Sequence, residues 1–255
     1  MKRLGKIVLR FMPQTHNFLS KVYLWVSDFF QLRFRFHIFC QIRYLTKLNQ
    51  PIKFLSVGSN DGFTTDPFVS YICKNGLLDA TFIEPVHENF ELLKSNYLKT
   101  LGEVSRLKFY QLAISDFSGS AIFYSVSHTA KEKLGNQIPD WYDQLGSFDR
   151  HHITKHLEGI LEPFICETEC ETKTLNDFLA EQDFEKLDVL HIDAEGHDYK
   201  VISTLDLLRY HPALILVENK HLSEEENSQL KSMLIASNYK LRQFQSDLMA
   251  TEQRQ

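Results

Sequence analysis

The sequence predicts an α/β protein built on a doubly wound, mostly parallel sheet. Three observations carry that prediction. From Ile52 onward, short apolar runs alternate with helix-length stretches. The first of those runs is apolar almost throughout, as in strands covered on both faces. The chain then closes with two short runs, 239–244 and 248–251, spaced as an antiparallel hairpin.

Asn49-Gln50-Pro51 punctuates the chain before the first strand, Ile52–Val57, which stops at Gly58. Asp66-Pro67 opens a helix with Phe68, Tyr71 and Ile72 on one face and a stop at Asn75-Gly76. Residues 80–83 read as the second strand, followed after Pro85 by a helix through about Tyr97. Residues 107–114 read as the third strand, and Ser118-Gly119 turns into a further one at 121–126. From about 128 to 163 the pattern breaks into a polar, His-rich insertion, whose length predicts a binding loop, a lid or short helices of its own. Regular elements return with a helix at 175–180, a strand at 188–192, a helix at 199–208 and a strand at 213–217. Ser223, with Glu226 three residues on, predicts a capping box for a helix ending at Asn238. There is no internal repeat and no low-complexity tract.

Composition narrows the class. Of 255 residues, 43% are hydrophobic and 24% charged, with a net charge of −5. That is too apolar for disorder and carries too many scattered charges for a membrane bundle. Cys40, Cys73, Cys166 and Cys170 form no disulfide framework and lack CxxC spacing, which predicts reduced thiols in a cytoplasmic protein. The charge is uneven: residues 1–50 carry nine Lys or Arg against Asp28, a balance of +8, which leaves −13 on residues 51–255. This predicts a basic, aromatic-rich helical extension over 1–50 and one domain over 51–255, carrying the insertion at about 128–163. Phe18, Val22, Trp25, Val26 and Phe29 recur at helical spacing. Such a stripe would pack on the body, on a second copy in a homo-oligomer, or on an anionic membrane surface through residues 1–45. Lys21, Asp28, Arg33 and Arg35 cut its apolar runs well short of the roughly 20 residues of a spanning helix. The acidic body argues against a nucleic-acid partner.

In sheets of this kind ligands bind beyond the carboxyl ends of the strands. After the first strand comes Gly58-Ser59-Asn60-Asp61-Gly62, a turn whose glycines allow close backbone approach but which matches neither GxGxxG nor a GK[ST] phosphate loop. The second strand ends in Glu84, 26 residues after Gly58, where a carboxylate can accept from both ribose hydroxyls. The third is followed by Ser115-Asp116, placed for the edge of an adenine. The fourth runs into Asp193-Ala194-Glu195-Gly196-His197, and the fifth ends in Glu218-Asn219 with His221 beyond. Each acid has an ordinary alternative as a capping or solvent-facing residue, Glu195 and Asp198 above all.

In these motifs the chain resembles the FkbM family of S-adenosylmethionine-dependent methyltransferases. The matching segments are Val57-Gly58-Ser59-Asn60-Asp61-Gly62, Phe82-Ile83-Glu84-Pro85, Ala113-Ile114-Ser115-Asp116, Thr174-Leu175 and Ile192-Asp193-Ala194-Glu195-Gly196-His197, in order over roughly 52–220. The family's commoner turn has Ala where this chain has Ser59. The insertion segment from Gly146 to His156 is similar to one in some bacterial relatives. The resemblance implies a Rossmann-like class I methyltransferase fold. It further implies that Gly58, Ser59, Asn60, Asp61 and Gly62 face the methionine end of the cofactor, Glu84 the ribose, and Ser115 and Asp116 the adenine. Coulomb attraction of a sulfonium to Asp61 and Asp193 agrees, whereas phosphate-bearing NAD or ATP would want basic groups, which these motifs lack.

The expected reaction is methylation of a hydroxyl oxygen on a sugar, glycan or other small molecule. Asp193, Glu195 and His197 are the catalytic candidates, with His197 as base. Asp193, Glu218 and Asn219 also suggest an oxygen-ligand Mg²⁺ site, by analogy with catechol-type O-methyltransferases. His151, His152 and His156 are candidates to reach over the site from the insertion. The alternatives are a dinucleotide-dependent oxidoreductase with an eroded fingerprint and a non-catalytic cofactor-binding interaction module.

Overall fold

A computed structural model of the chain describes residues 32–48, 50–64 and 66–253. The apolar stripe from Phe18 to Phe29 lies outside the described residues. The chain divides into two compact units, one ending at Tyr44 and one from Leu45 to Gln255. Residues 32–46 are helical. Among the described residues no helix is long and apolar enough to cross a membrane.

The second unit holds a seven-stranded sheet. Its strands are β1 (Ile52–Val57), β2 (Leu78–Ile83), β3 (Leu107–Tyr110), β7 (Val189–Ile192), β8 (Leu214–Glu218), β9 (Tyr239–Gln243) and β10 (Asp247–Glu252). Their order is β3-β2-β1-β7-β8-β10-β9, so β1 lies beside both β2 and β7 and strand order reverses between β1 and β7. All neighbours are parallel except β10, which runs antiparallel to β8 and β9. The doubly wound, mostly parallel sheet and its closing hairpin are therefore as the patterning predicts.

The parallel strands β1, β2, β7 and β8 are buried along nearly their whole length because helices cover both faces. Those helices are α1 (Val69–Lys74), α2 (His87–Leu101), α5 (Leu175–Glu181), α6 (Asp198–Ser203) and α7 (Glu224–Ala236). One core joins Leu55, Val57, Leu190, Ile192, Ile215 and Val217 of the strands to Phe178, Val201 and Leu234 of the helices. The capping box of α7 is present, Ser223 accepting the Glu226 N–H while the Glu226 carboxylate accepts the Ser223 N–H. Such caps contribute about 1 kcal/mol.

Two expectations are corrected. The single third strand over 107–114 is two strands in two sheets: β3 ends at Tyr110, and β4 (Ala113–Ile114) belongs to a second, three-stranded sheet ordered β4-β6-β5. The partners in that sheet are β5 (Gly119–Val126) and β6 (Ile165–Lys173). β6 carries no strand signal in the sequence, because its residues are mostly exposed and only Cys170 and Thr172 are buried. The 128–163 insertion does form short helices of its own, among them α3 (Thr129–Leu134) and α4 (Arg150–Thr154). They enclose a small separate core of Ala130, Ile138, Tyr142, Leu145, Ile153 and Leu161. The helix expected at 199–208 is shorter, α6 ending at Ser203.

Candidate functional site

The ends of β1, β2, β7 and β8 converge at the point where strand order reverses. Just past β1, the Gly58 and Ser59 N–H groups both donate to Ile83 O, at 3.0 Å each, which folds the turn over the end of β2. Gly58 has φ +74, and a Cβ there would lie 1.8 Å from the backbone oxygen of Asp193. Only glycine fits, so the turn after β1 and the turn after β7 are in backbone contact. Gly62, with φ +72, seats the far end of the turn against Leu93 and Tyr97 of α2.

Glu84 ties this turn to β2. Its Oε2 accepts the Asn60 N–H at 2.8 Å and its Oε1 accepts the Val86 N–H at 2.9 Å. The side chain is buried, and burial pushes its pKa up to about 7 against the pull of those two N–H groups. Asp61 folds back on its own loop, its Oδ1 accepting from the Phe63 and Thr64 N–H groups at 2.9 and 2.7 Å. It therefore shapes the turn as an Asx-type cap. Ser59 Oγ donates to Ser56 O.

After β7 the chain makes a tight turn through Glu195 (φ 48) and Gly196 (φ 93). Asp198 holds that turn, its two oxygens accepting the Ala194 and Gly196 N–H groups at 2.8 and 3.0 Å. The capping role thus falls to Asp198, which leaves Asp193 and Glu195 free of it. Burial raises the Asp193 pKa well above its ordinary value, and Glu218, Glu195, Asp198 and Asp247 add like-charge repulsion. Glu218 is pushed up to about 8, chiefly by burial and then by Glu195. Asp247 enters this group because β10 pairs it directly with Glu218, a cross-strand neighbour no local pattern reveals.

His197 lies apart from these carboxylates. Its Nε2 is 3.0 Å from Ser115 Oγ, and its ring is 4.9 Å from that of Phe148. Burial pushes its pKa down to about 4, which makes it a poor base near neutral pH and a neutral partner for Ser115 instead. Ser115 is fully buried, its Oγ also 3.1 Å from the exposed Asp116 carboxylate, and both follow β4 rather than a strand of the main sheet.

Asn219 departs from expectation too. Its amide bonds Asn227 and Gln243 on both sides, at 2.8 to 3.0 Å. That network engages the Asn219 amide, and the oxygen ligands that gather beside it are those of Asp193, Glu195 and Glu218. Of the three insertion histidines, His151 is exposed near the start of α4, where its N–H is capped by Asp149. His152 and His156 do reach the rim: His152 Nε2 lies 3.3 Å from Glu195 Oε2, and the His156 ring is 5.8 Å from that of His221. His221 Nε2 is also 3.3 Å from Glu195 Oε2. Phe148, not singled out in the sequence, packs edge-on against Phe123 at 5.0 Å and anchors the insertion over the Ser115–His197 pair.

The arrangement can take a cation bearing a ribose. Glu84 keeps lone pairs on both oxygens beside a glycine turn, and the Glu195 carboxylate in the turn after β7 meets the imidazoles of His152 and His221.

The family model of the methyltransferase FkbM domain matches residues 56–246. No curated protein matches the chain. Among solved structures it is similar to methyltransferase FkbM from Methylobacillus flagellatus KT, with 13% identity and a TM-score of 0.49 over 78% of this chain and 43% of that one. The chain thus spans less than half the length of that protein. It is also similar to the N-terminal domain of human METTL16 in complex with SAH, with 11% identity, a TM-score of 0.43, and 86% and 69% of the two chains covered. A third is precorrin-6y C5,15-methyltransferase from Geobacter metallireducens, with 10% identity, a TM-score of 0.41, and 84% and 87% covered.

Proposed function

The chain belongs to the FkbM methyltransferase family, with a Rossmann-like class I fold, and from that premise we propose that it transfers a methyl group from S-adenosylmethionine to a hydroxyl oxygen of a sugar, glycan or other small molecule. One observation carries the reading. Asp193, Glu195 and Glu218 bring a carboxylate oxygen each within 4.8 Å of one another at the strand ends, and burial together with like-charge repulsion makes the charge of Asp193 and Glu218 costly until a cation arrives. A sulfonium is such a cation; a dinucleotide pyrophosphate would meet repulsion there.

When bound, S-adenosylmethionine supplies an electrophilic methyl carbon, leaving the carbon–sulfur bonding pair on sulfur. The residues of the chain have separate parts around it. Glu84 would accept from the ribose hydroxyls with the lone pairs that Asn60 and Val86 leave over. The turn from Gly58 to Gly62, with Ser59, Asn60 and Asp61, would lie along the methionine end. Ser115 and Asp116 would meet the adenine, with His197 positioning Ser115. Asp193 would take the acceptor's hydroxyl proton, and Glu195 beside it would help hold the acceptor. Most of the acceleration would come from holding the acceptor oxygen in line with the methyl carbon. The insertion, through Phe148 and His152, would wall the acceptor side. We also place the protein in the cytoplasm, with residues 1–45 as its contact with a membrane surface or a second copy.

The test is calorimetric titration followed by a transfer assay. S-adenosylmethionine is expected to bind in the micromolar range and NAD⁺ and NADH not to bind. Methyl-labelled cofactor incubated with a panel of glycans and small-molecule alcohols is expected to label an acceptor. Binding of NADH without S-adenosylmethionine would overturn the reading in favour of an oxidoreductase; cofactor binding with no transfer to any acceptor or cell extract would favour an interaction module.

A further inference from the structure

Four polar side-chain atoms are shut off from solvent without a hydrogen-bond partner in one small region: His152 Nε2, His156 Nε2, Glu195 Oε2 and Glu218 Oε2. An unpaired buried polar atom costs about 1–3 kcal/mol, so four together call for a ligand. They converge. His152 Nε2 and His221 Nε2 each stand 3.3 Å from Glu195 Oε2, and His221 Nε2 stands 4.0 Å from Glu218 Oε2. The rings of His152 and His221 are 5.1 Å apart, and His156 lies 5.2 Å from His152. His152 is only 4% exposed.

The spacing identifies the ligand. Neutral imidazole nitrogens and carboxylate oxygens are lone-pair donors, and lone pairs aimed at one point attract a cation. Two ligand atoms about 2.1 Å from a tetrahedral ion are roughly 3.4 Å apart, close to the two 3.3 Å separations here. One ligand atom each from His152, Glu195 and His221 lies within 4.8 Å of the others, as do those of Asp193, Glu195 and Glu218. Magnesium prefers an all-oxygen octahedron, whereas two imidazoles and a carboxylate suit a first-row transition ion and leave a fourth position open.

We propose that His152, Glu195 and His221 hold a divalent first-row transition ion of zinc-like preference, with His156 and Glu218 at its margin. The ligands come from α4 in the insertion, from the turn after β7 and from the segment after β8, so the ion clamps the insertion onto the strand ends. Resting on the methyl-transfer reading, an ion on these ligands would lie beside Asp193, whose carboxylate clusters with that of Glu195, and would help orient the acceptor hydroxyl.

The experiment uses the untagged 255-residue chain stripped with a chelator, titrated calorimetrically with ZnCl₂ and separately with MgCl₂, without S-adenosylmethionine. Expected are one zinc per chain, no competition from millimolar magnesium, and at least a tenfold loss of affinity in both His152→Ala and His221→Asn, with folding checked by circular dichroism. Should His152→Ala not fold, His221→Asn carries the comparison. X-ray absorption of the zinc-loaded protein is expected to show nitrogen and oxygen neighbours with imidazole scattering. No stoichiometric zinc uptake, unchanged affinity in the folded variants, or sulfur in the first shell (pointing to Cys166 or Cys170) would overturn the site. Cofactor binding is titrated separately on the stripped protein, so the methyl-transfer reading and the metal site fail independently.

Discussion

A Cβ on Gly58 would lie 1.8 Å from the backbone oxygen of Asp193, so the glycine turn after β1 and the acidic turn after β7 can meet only because residue 58 has no side chain. Gly58→Ala adds a clash with backbone to a left-handed φ, and is expected to cost about 3 kcal/mol or more in urea unfolding. Gly76→Ala, with nothing within 4 Å of the added carbon, is the control and is expected to stay within about 0.5 kcal/mol of the parent.

Glu84 links stability to pH. Its folded pKa of about 7 stands above that of an unfolded glutamate, so the native state holds its proton more tightly. The stabilisation this gives is complete below the unfolded value of about 4.3, fades as pH rises through about 7, and is flat beyond. Between those limits wild type is expected to lose up to about 1.4 kcal/mol per pH unit relative to Glu84→Gln, read as the difference between their denaturation curves. A difference independent of pH would show the carboxyl to be ionised throughout. On the methyl-transfer reading the same variant binds S-adenosylmethionine at least tenfold more weakly.

Asp193 trades stability for function. Asp193→Asn removes one of several crowded carboxylates and is expected to stabilise the ligand-free protein at pH 8, read as a higher urea midpoint than that of the parent. Methyl transfer is expected to fall at least a hundredfold, while cofactor affinity changes by less. A variant both less stable and fully active would contradict both halves of the argument.

His197, with its pKa held near 4 and its Nε2 on Ser115, is already neutral at physiological pH. His197→Gln keeps a group able to bond Ser115. It is expected to raise the KM for S-adenosylmethionine severalfold while leaving the pH profile of kcat unchanged. Loss of an ionisation near pH 6.5 from that profile would restore His197 as the base.

The sequence by itself determined the sheet. Near-continuous apolar runs fix β1, β2, β7 and β8, because a segment covered on both faces needs no knowledge of its partners to be recognised. Terminal signals are equally local, as in the Ser223–Glu226 box, so that helix was legible too. The acids at the strand ends could be read as a site because the topology alone brings those ends together. Tertiary structure decided the rest. Residues 107–114 form one apolar pattern, but pairing sends Tyr110 and Ala113 to different sheets, and β6 is a strand only because β5 and β4 flank it. The Asn219 amide was taken by Gln243, and Glu195 gained His152 and His221, through contacts spanning dozens of residues. A sequence pattern reports how much of a segment is buried; which side chains then share a point in space depends on long-range packing that no local spacing encodes.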